Sequence, residues 1–320
     1  MRLLVTGGLG FIGSNFIRQM LEEHPGDSIV NLDKVTYAGN PENLKDFDGD
    51  PRYTFVRGDI CDPEIVGSVF REYPVDAVVH FAAESHVDRS IEDASVFVRT
   101  NVLGTHVLLE EALRHGVERF IHVSTDEVYG SIRSGSFRET DNLNPSSPYS
   151  ASKAASDLLA RSYHTTHDLG VIVTRCTNNF GPYQYPEKLI PLFATNLLEG
   201  KKVPVYGTGK NVRDWIHVAD HCRAVDFVLR HGEPGEIYNI GGGNEKSNLE
   251  ITGGILRALG KDESMIEYVP DRPGHDWRYS LDSSKLRAMG WKPEFDFETA
   301  LQATVQWYTE NEWWWRPLKR

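Results

Sequence analysis

Six short runs rich in β-branched and aromatic residues recur through the first half of the chain, separated by helix-length segments. They are RLLV at 2–5, SIVNL at 28–32, YTFVR at 53–57, DAVVHFA at 76–82, RFIHVS at 119–124 and VIVTR at 171–175. Strands joined by crossovers of this length cannot form tight hairpins, so the alternation predicts a parallel sheet with helices packed on it. Phe11, Ile12, Phe16, Ile17, Met20 and Leu21 mark the first helix, and further long helices are expected near 94–114 and from about Tyr149 to His167. After about residue 180, Pro and Gly punctuate shorter segments such as GPYQYPEKLIP, YGTGKNVRDW and GGGNEKSN. The expectation is an α/β chain, with a doubly wound parallel sheet over 1–180 and a smaller α/β lobe over 181–320. Segments near 214–243, including DWIHVADHCRAVDFVLR and EIYNIGG, are expected to return to the first domain.

Forty-six acidic against 34 basic residues give a net charge of −12. Nucleic-acid binding draws on many lysines and arginines along one face, and no basic stripe is visible, so no nucleic-acid partner is expected. Cys61, Cys176 and Cys222 are odd in number and widely spaced, which suggests neither a disulfide framework nor a zinc site. None of the twelve histidines shows metal-ligand spacing, so no metal is expected. The chain enters RLLV without an apolar leader, and no apolar run approaches the roughly 20 residues of a membrane span. A cytoplasmic protein without membrane partners is the expectation.

TGGLGFIG places Gly7, Gly10 and Gly13 directly after the first strand, where a helix opens. The first glycine permits the tight turn, the second lets backbone approach a pyrophosphate, and the third lets the helix pack against the sheet. Asp33 closes the second strand 20 residues past Gly13, where its carboxylate would accept both ribose hydroxyls of an NAD adenosine and repel a 2′-phosphate. Lys34 beside it blunts that repulsion. Asp59 and Ile60, after the third strand, are placed to flank adenine, although Asp59 reads equally as a turn residue. The expected domain is therefore Rossmann-type and its cofactor NAD.

In PYSASKAASD, Tyr149 and Lys153 stand four apart on one helix face, and the ammonium is expected to lower the phenol from about 10 so that it can act as a base. Thr125 at the end of the fifth strand completes a triad, and Asp126 and Glu127 follow it in STDEVYG. Two neighbouring carboxyls in a desolvated site cannot both ionise easily, so one would serve as acid and the other as base. The alternative is a helix N-terminus capped by acids, worth a few tenths to about 1 kcal/mol.

With STDEVYG, RCTNNFGPYQYPEKLIP, YGTGKNVRDWIHVADH, DRPGHDWRYSLD and EWWWRPL added, essentially the whole chain resembles the extended short-chain dehydrogenase/reductase superfamily. It looks most like the nucleotide-sugar branch and its dTDP-glucose 4,6-dehydratases. The resemblance implies a lyase in which NAD takes a hydride from C4 and returns it to C6 after water leaves across C5–C6. It gives Tyr149, Lys153 and Thr125 to the C4 step, Asp126 to protonation of the C6 hydroxyl and Glu127 to removal of the C5 proton. Phe11, Ile12, Lys34, Val35, Thr36, Phe81, Ala82, Ala83, Glu84, Ser85, Thr100 and Asn179 are implied as further cofactor contacts. The substrate side is implied to use Ser85, Thr125, Asn178, Glu187, Lys188, Leu189, Pro204, Val205, Tyr206, Arg213, Asn248, Asp271, Arg272, Pro273, Gly274 and His275. His86, Asp88 and Arg89 read instead as a scaffold for their loop. The helices near 94–114 and 149–167 are implied to pair into a homodimer.

Three other readings stand beside this one. Thymine and uracil differ by a methyl worth about 1–3 kcal/mol in an apolar pocket, which leaves a UDP-glucose 4,6-dehydratase open. A nucleotide-sugar 4-epimerase would share the glycine turn and the Tyr–Lys pair but has no use for the acid pair. A catalytically silent NAD-binding protein would have no reason to keep all five groups.

Overall fold

The computed structural model describes residues 1–271 and 275–319. The strands in chain order are β1 (Arg2–Thr6), β2 (Ser28–Asp33), β3 (Tyr53–Arg57), β4 (Ala77–His80), β5 (Arg119–Thr125) and β6 (Val171–Cys176). They continue as β7 (Asn178–Phe180), β8 (Val203–Tyr206), β9 (Val212–His217), β10 (Ile237–Ile240), β11 (Glu245–Ser247) and β12 (Ile266–Val269). Seven of them form one sheet in the order β10-β6-β5-β4-β1-β2-β3, parallel at every pairing. The chain runs outward from β1 through β2 to β3, then returns to the other side of β1 and runs outward through β4, β5 and β6. A crevice opens at such a reversal, beyond the carboxyl ends of the strands, and this is where ligands of open α/β sheets bind.

Helices cover both faces, which is why the strands read as nearly unbroken apolar runs rather than alternating ones. On one face Leu3, Val5, Ile29, Val79 and Ile121 meet Phe16, Ile17 and Met20 of helix Phe11–Glu23 and Val225 and Leu229 of helix Val218–His231. On the other, Leu4, Val30, Val78 and Phe120 meet Val66 and Phe70, Leu108 and Ala112, and Ala160 and Tyr163, from helices Pro63–Glu72, Thr105–Arg114 and Pro148–His167. Leu4 thus faces away from Leu3 and Val5, as the two-residue period of a strand requires.

A separate core gathers Phe180, Phe193, Trp215, Ile255, Leu301, Tyr308, Trp314 and Trp315 around two smaller sheets, β11-β9-β7 and β12-β8. The C-terminal tryptophans close this lobe onto the first domain, because the Trp314 indole N–H donates to Asn43 Oδ1 at 2.8 Å. After β9, helix Val218–His231 packs on helix Phe11–Glu23, and β10 joins the large sheet beside β6.

The long helix expected near 94–114 is built from short pieces. Val87–Glu92 and Ser95–Phe97 precede a π-helical turn, Val98–Gly104, which continues into helix Thr105–Arg114. Gly104 lets this turn sit against β3's exit, since a Cβ there would lie 2.5 Å from Ile60. The same turn buries Asn101, whose amide accepts from Glu84 N at 2.8 Å and donates to Glu84 O at 3.0 Å and Ser152 Oγ at 2.8 Å. Among the described residues no helix is long and apolar enough to cross a membrane.

Candidate active site

A cleft of about 440 Å³ opens above β1, β4, β5 and β6. Its floor starts with the glycine turn. Gly7 adopts φ +71°, and a Cβ there would lie 2.6 Å from the Ala82 backbone nitrogen. At Gly13 a Cβ would meet Gly7 O at 2.4 Å, so helix Phe11–Glu23 rests directly on the turn. A Cβ on Gly10 would meet only Gly7 O, at 3.3 Å, and otherwise project into the space above the helix N-terminus, which no side chain caps. That terminus presents amides lacking partners within the helix to the cleft, a setting suited to a pyrophosphate.

Asp33 is aimed at the same space by two backbone amides, Leu9 N to Oδ2 at 2.9 Å and Val35 N to Oδ1 at 2.7 Å. Burial outweighs these bonds and raises its pKa. Lys34 is held by Asp59 at 2.7 Å, so the cation adjacent to Asp33 is already paired with an acid. Gly10, Phe11, Ile12, Asp33, Thr36, Ile60 and Ala82 to Glu84 all line this half of the cleft, and the arrangement fits NAD. Gly13→Ala is expected to shift the turn at a cost of about 1–3 kcal/mol. Purified protein should then retain NAD at least about tenfold less tightly, measured as cofactor released on heat denaturation. Full cofactor retention would contradict the packing role.

The other half is built around the end of β5. Thr125 caps a 3₁₀ turn, Asp126–Tyr129, by accepting from Glu127 N at 3.3 Å, and Gly130 ends the turn at φ +82°. A Cβ on Gly130 would lie 2.3 Å from Asn144 O, so glycine is needed there on both counts. Helix Pro148–His167 begins one residue before Tyr149, through a capping box between Ser147 and Ser150 with Pro148 in the first turn. Tyr149 therefore lies at the helix entrance beside the acids, with Lys153 one turn further in.

Asp126 is 3% exposed, and burial first, then the Glu127 charge, push its carboxyl well above the ordinary range, against the pull of Arg213. Its Oδ1 accepts from the Thr125 hydroxyl at 3.2 Å, while Oδ2 is buried without a partner. Burial and the neighbouring Glu127 charge thus favour the protonated form of Asp126. The expected lowering of the Tyr149 phenol is not what this site does. Burial, then Glu127, raise it, and the Thr125 hydrogen bond opposes them. Lys153 Nζ donates to Val123 O at 2.9 Å, and burial lowers its own pKa to about 8, against Asp157.

On the substrate side, Ser85, Asn178, Glu187, Lys188 and Arg213 line the cleft. Arg213 is 5% exposed, lies 4.2 Å over the Tyr279 ring and donates to Asp276 O at 3.0 Å. The Glu187 carboxylate meets its neighbours rather than the cleft interior. It accepts from Tyr37 Oη at 3.0 Å and Arg89 Nη2 at 3.3 Å, with His86 at 3.6 Å. Lys188 Nζ donates to Ser85 O at 3.0 Å.

Several expected residues lie outside the cleft lining. Val35 turns away at φ +59°. Leu189 and Val205 pack on or within the second core, as alternation along β8 dictates for Val205. Pro204 belongs to the same strand, and Asn248 opens the helix Asn248–Ala258 with its amide on Asn211 O. Asp271 and His275 pair with each other at 2.6 Å beneath the half-exposed Tyr206 ring. Arg272, Pro273 and Gly274 lie outside the described residues.

The cleft also takes in residues the sequence reading passed over, Cys176, Thr177, Gln184, Tyr185 and Tyr279 among them. Cys176, Thr177, Gln184 and Tyr185 lie within RCTNNFGPYQYPEKLIP itself, between or beside the positions expected to bind. Tyr279 lies within DRPGHDWRYSLD, of which only residues 271–275 were expected at the ligand.

The sequence matches the model of the GDP-mannose 4,6 dehydratase family over residues 4–304. The chain belongs to this family. Within the family it sits among dTDP-glucose 4,6-dehydratases. One from Streptomyces niveus is 56% identical, covering 100% of this chain and 96% of that protein. The Escherichia coli enzyme is 46% identical over 99% and 96% of the two chains. Among solved structures, the dTDP-glucose 4,6-dehydratase DesIV of Streptomyces venezuelae with NAD bound superposes with a TM-score of 0.97 at 58% identity, covering 100% of both chains. A UDP-glucose 4-epimerase of Thermus thermophilus, also with NAD, reaches 0.91 at 34% identity, over 97% and 100%. The family fold therefore serves both dehydration and epimerisation, and the acid pair after Thr125 is what a dehydratase needs in addition.

Proposed function

We propose that this cleft carries out the dehydration of dTDP-glucose through the five groups Thr125, Asp126, Glu127, Tyr149 and Lys153. The chain is an NAD-dependent hydro-lyase that gives dTDP-4-dehydro-6-deoxyglucose and water. The observation that carries the role assignment is the buried Asp126 carboxyl beside Glu127, its pKa raised, sharing the Thr125 hydroxyl with Tyr149.

Bound NAD supplies the redox chemistry, accepting hydride from C4 and giving it to C6. Tyr149 takes the C4 hydroxyl proton, with Lys153 one turn below it and Thr125 hydrogen-bonded to the same phenol. Glu127 removes the proton at C5, made acidic by the new ketone. Asp126 protonates the C6 hydroxyl, which leaves as water. Glu127 returns its proton to C5 as C6 is reduced. Over one cycle Tyr149 has gained the O4 proton and Asp126 has lost one, so the site resets when a proton passes between them, along the Thr125 hydroxyl both contact.

Arg213, Asn178 and Lys188 are proposed to face the sugar diphosphate, Arg213 as the buried cation. Gly7 to Gly13, Asp33 and Asp59 to Ile60 are proposed to hold the cofactor, with 181–320 mainly carrying the nucleotide sugar. Exposed Val96, Val98 and Leu103 on the segment before helix Thr105–Arg114, with Leu158 on the Tyr149 helix, support a homodimer across these elements. Three buried, unpaired thiols, Cys61, Cys176 and Cys222, support a reducing cytoplasmic setting.

Incubation of the purified protein with dTDP-glucose and with UDP-glucose tests the reading. Loss of water from dTDP-glucose, seen by product mass and by 4-ketosugar absorbance in base, is expected. Turnover of neither sugar would overturn it.

A further inference from the structure

The proposed catalytic groups ride on two separate elements. Asp126 and Glu127 stand on the 3₁₀ turn after β5, Tyr149 and Lys153 on helix Pro148–His167. Dehydration needs both sets in register over three adjacent carbons, since the ketone at C4 must form where the acid and base already flank C5 and C6.

Beneath the cleft one side chain joins these elements. Arg175 on β6 is 1% exposed, and its neighbour Cys176 lines the cleft, so strand alternation sends the Arg175 side chain to the opposite side. Its Nε donates to Asp157 Oδ2 at 2.8 Å, one helical turn beyond Lys153. Its Nη1 donates to Tyr129 Oη at 2.7 Å, and its guanidinium lies 4.7 Å over the Tyr129 ring. Tyr129 is the last residue of the turn that carries the two acids, and its hydroxyl goes on to Asn239 Oδ1 on β10 at 2.9 Å. None of Arg175, Asp157, Tyr129 or Asn239 is among the cleft-lining residues.

We propose that Arg175 is a positioning residue, which through Tyr129 and Asp157 holds the acid turn in register with the Tyr149 helix. The chemistry of the pair supports this over stability alone. Buried ion pairs contribute little beyond what well-packed apolar groups would, so a fully buried Arg–Asp pair is better explained by the geometry it imposes. A guanidinium meets a carboxylate and a phenol with N–H groups held apart in one rigid plane, whereas the three donors of an ammonium share one nitrogen on a flexible stem and fix no such spacing. The inference rests on the roles proposed above for the five catalytic groups.

The test uses the NAD-loaded enzyme and two variants, Arg175→Lys and the milder Tyr129→Phe, which keeps the ring and removes the hydroxyl. Two steps are read separately on dTDP-glucose: reduction of the bound cofactor, by its absorbance in a rapid mix, and release of the dehydrated product. Arg175→Lys is expected to reduce the cofactor at close to the parent rate and to release product about 100-fold more slowly, the scale of a small misplacement of reacting groups. KM should stay at the parent value. Tyr129→Phe should show the same split at about tenfold, the scale of one lost charge-assisted hydrogen bond.

Parent-like product release in both variants would overturn the proposal, as would equal slowing of both steps. Where Arg175→Lys does not fold, Tyr129→Phe decides the question by the same criteria. A parent enzyme that dehydrates neither sugar sinks the dehydratase reading, and this inference with it. Normal turnover by the parent with an unsplit variant sinks this inference alone.

Discussion

Asp126→Asn combined with Glu127→Gln is expected to slow loss of water by at least about 10⁴-fold, because each general acid or base contributes about 10²–10⁴-fold. Reduction of the bound cofactor by dTDP-glucose should remain measurable, since Tyr149, Lys153 and Thr125 are untouched. The amides keep nearly the shape of the carboxyls, so the 3₁₀ turn and its Thr125 cap should persist. Product mass and cofactor absorbance on the same sample check both halves, and normal dehydration by the double variant would refute the assignment. The pH dependence follows from the same site. Asp126 must enter each cycle protonated, and burial beside Glu127 raises its pKa in that direction. The elimination step should therefore be lost as pH rises through the folded pKa of Asp126, and retained below it.

Tyr149→Phe is expected to slow oxidation at C4 by about 10²–10⁴-fold, leaving bound cofactor oxidised in the presence of substrate. This variant stops the cycle one step before the acid pair acts, so it should form neither ketone nor alkene. A rapid mix that shows cofactor reduction at the parent rate would remove Tyr149 from its role. Lys153 sets a second pH limit. Its ammonium is present below its pKa of about 8 and lost above it. The C4 step should thus decline above about pH 8, because the ammonium that favours the Tyr149 phenolate poised to take the C4 hydroxyl proton is lost.

The parallel sheet and the glycine turn were legible because they depend on local signals. Runs such as Leu3-Leu4-Val5 announce a strand buried on both faces, and the glycines announce a backbone conformation and close approaches that a Cβ would block. STDEVYG was legible because its cap, its two acids and its closing glycine stand next to one another in the chain, although Tyr129 finds its partners on β6 and β10. The substrate lobe was less so. Val205 and Leu189 were expected at a ligand but pack on the apolar core, while Tyr279, further along DRPGHDWRYSLD than the residues expected at the ligand, reaches the cleft. Such assignments depend on which way a strand faces after folding, and a register change of one residue reverses it.

The amino-acid sequence by itself determined the fold class, the glycine turn and the five groups proposed to react, because periodicity, glycine placement and side-chain chemistry are properties of short stretches of chain. The tertiary structure decided in which direction Asp126 and Tyr149 are shifted, and that Arg175 joins both elements proposed to be catalytic. Those outcomes depend on burial and on charges brought together from β5, β6, β9 and the Tyr149 helix. Water exclusion and distance fix an electrostatic balance, and neither exists until the chain has folded.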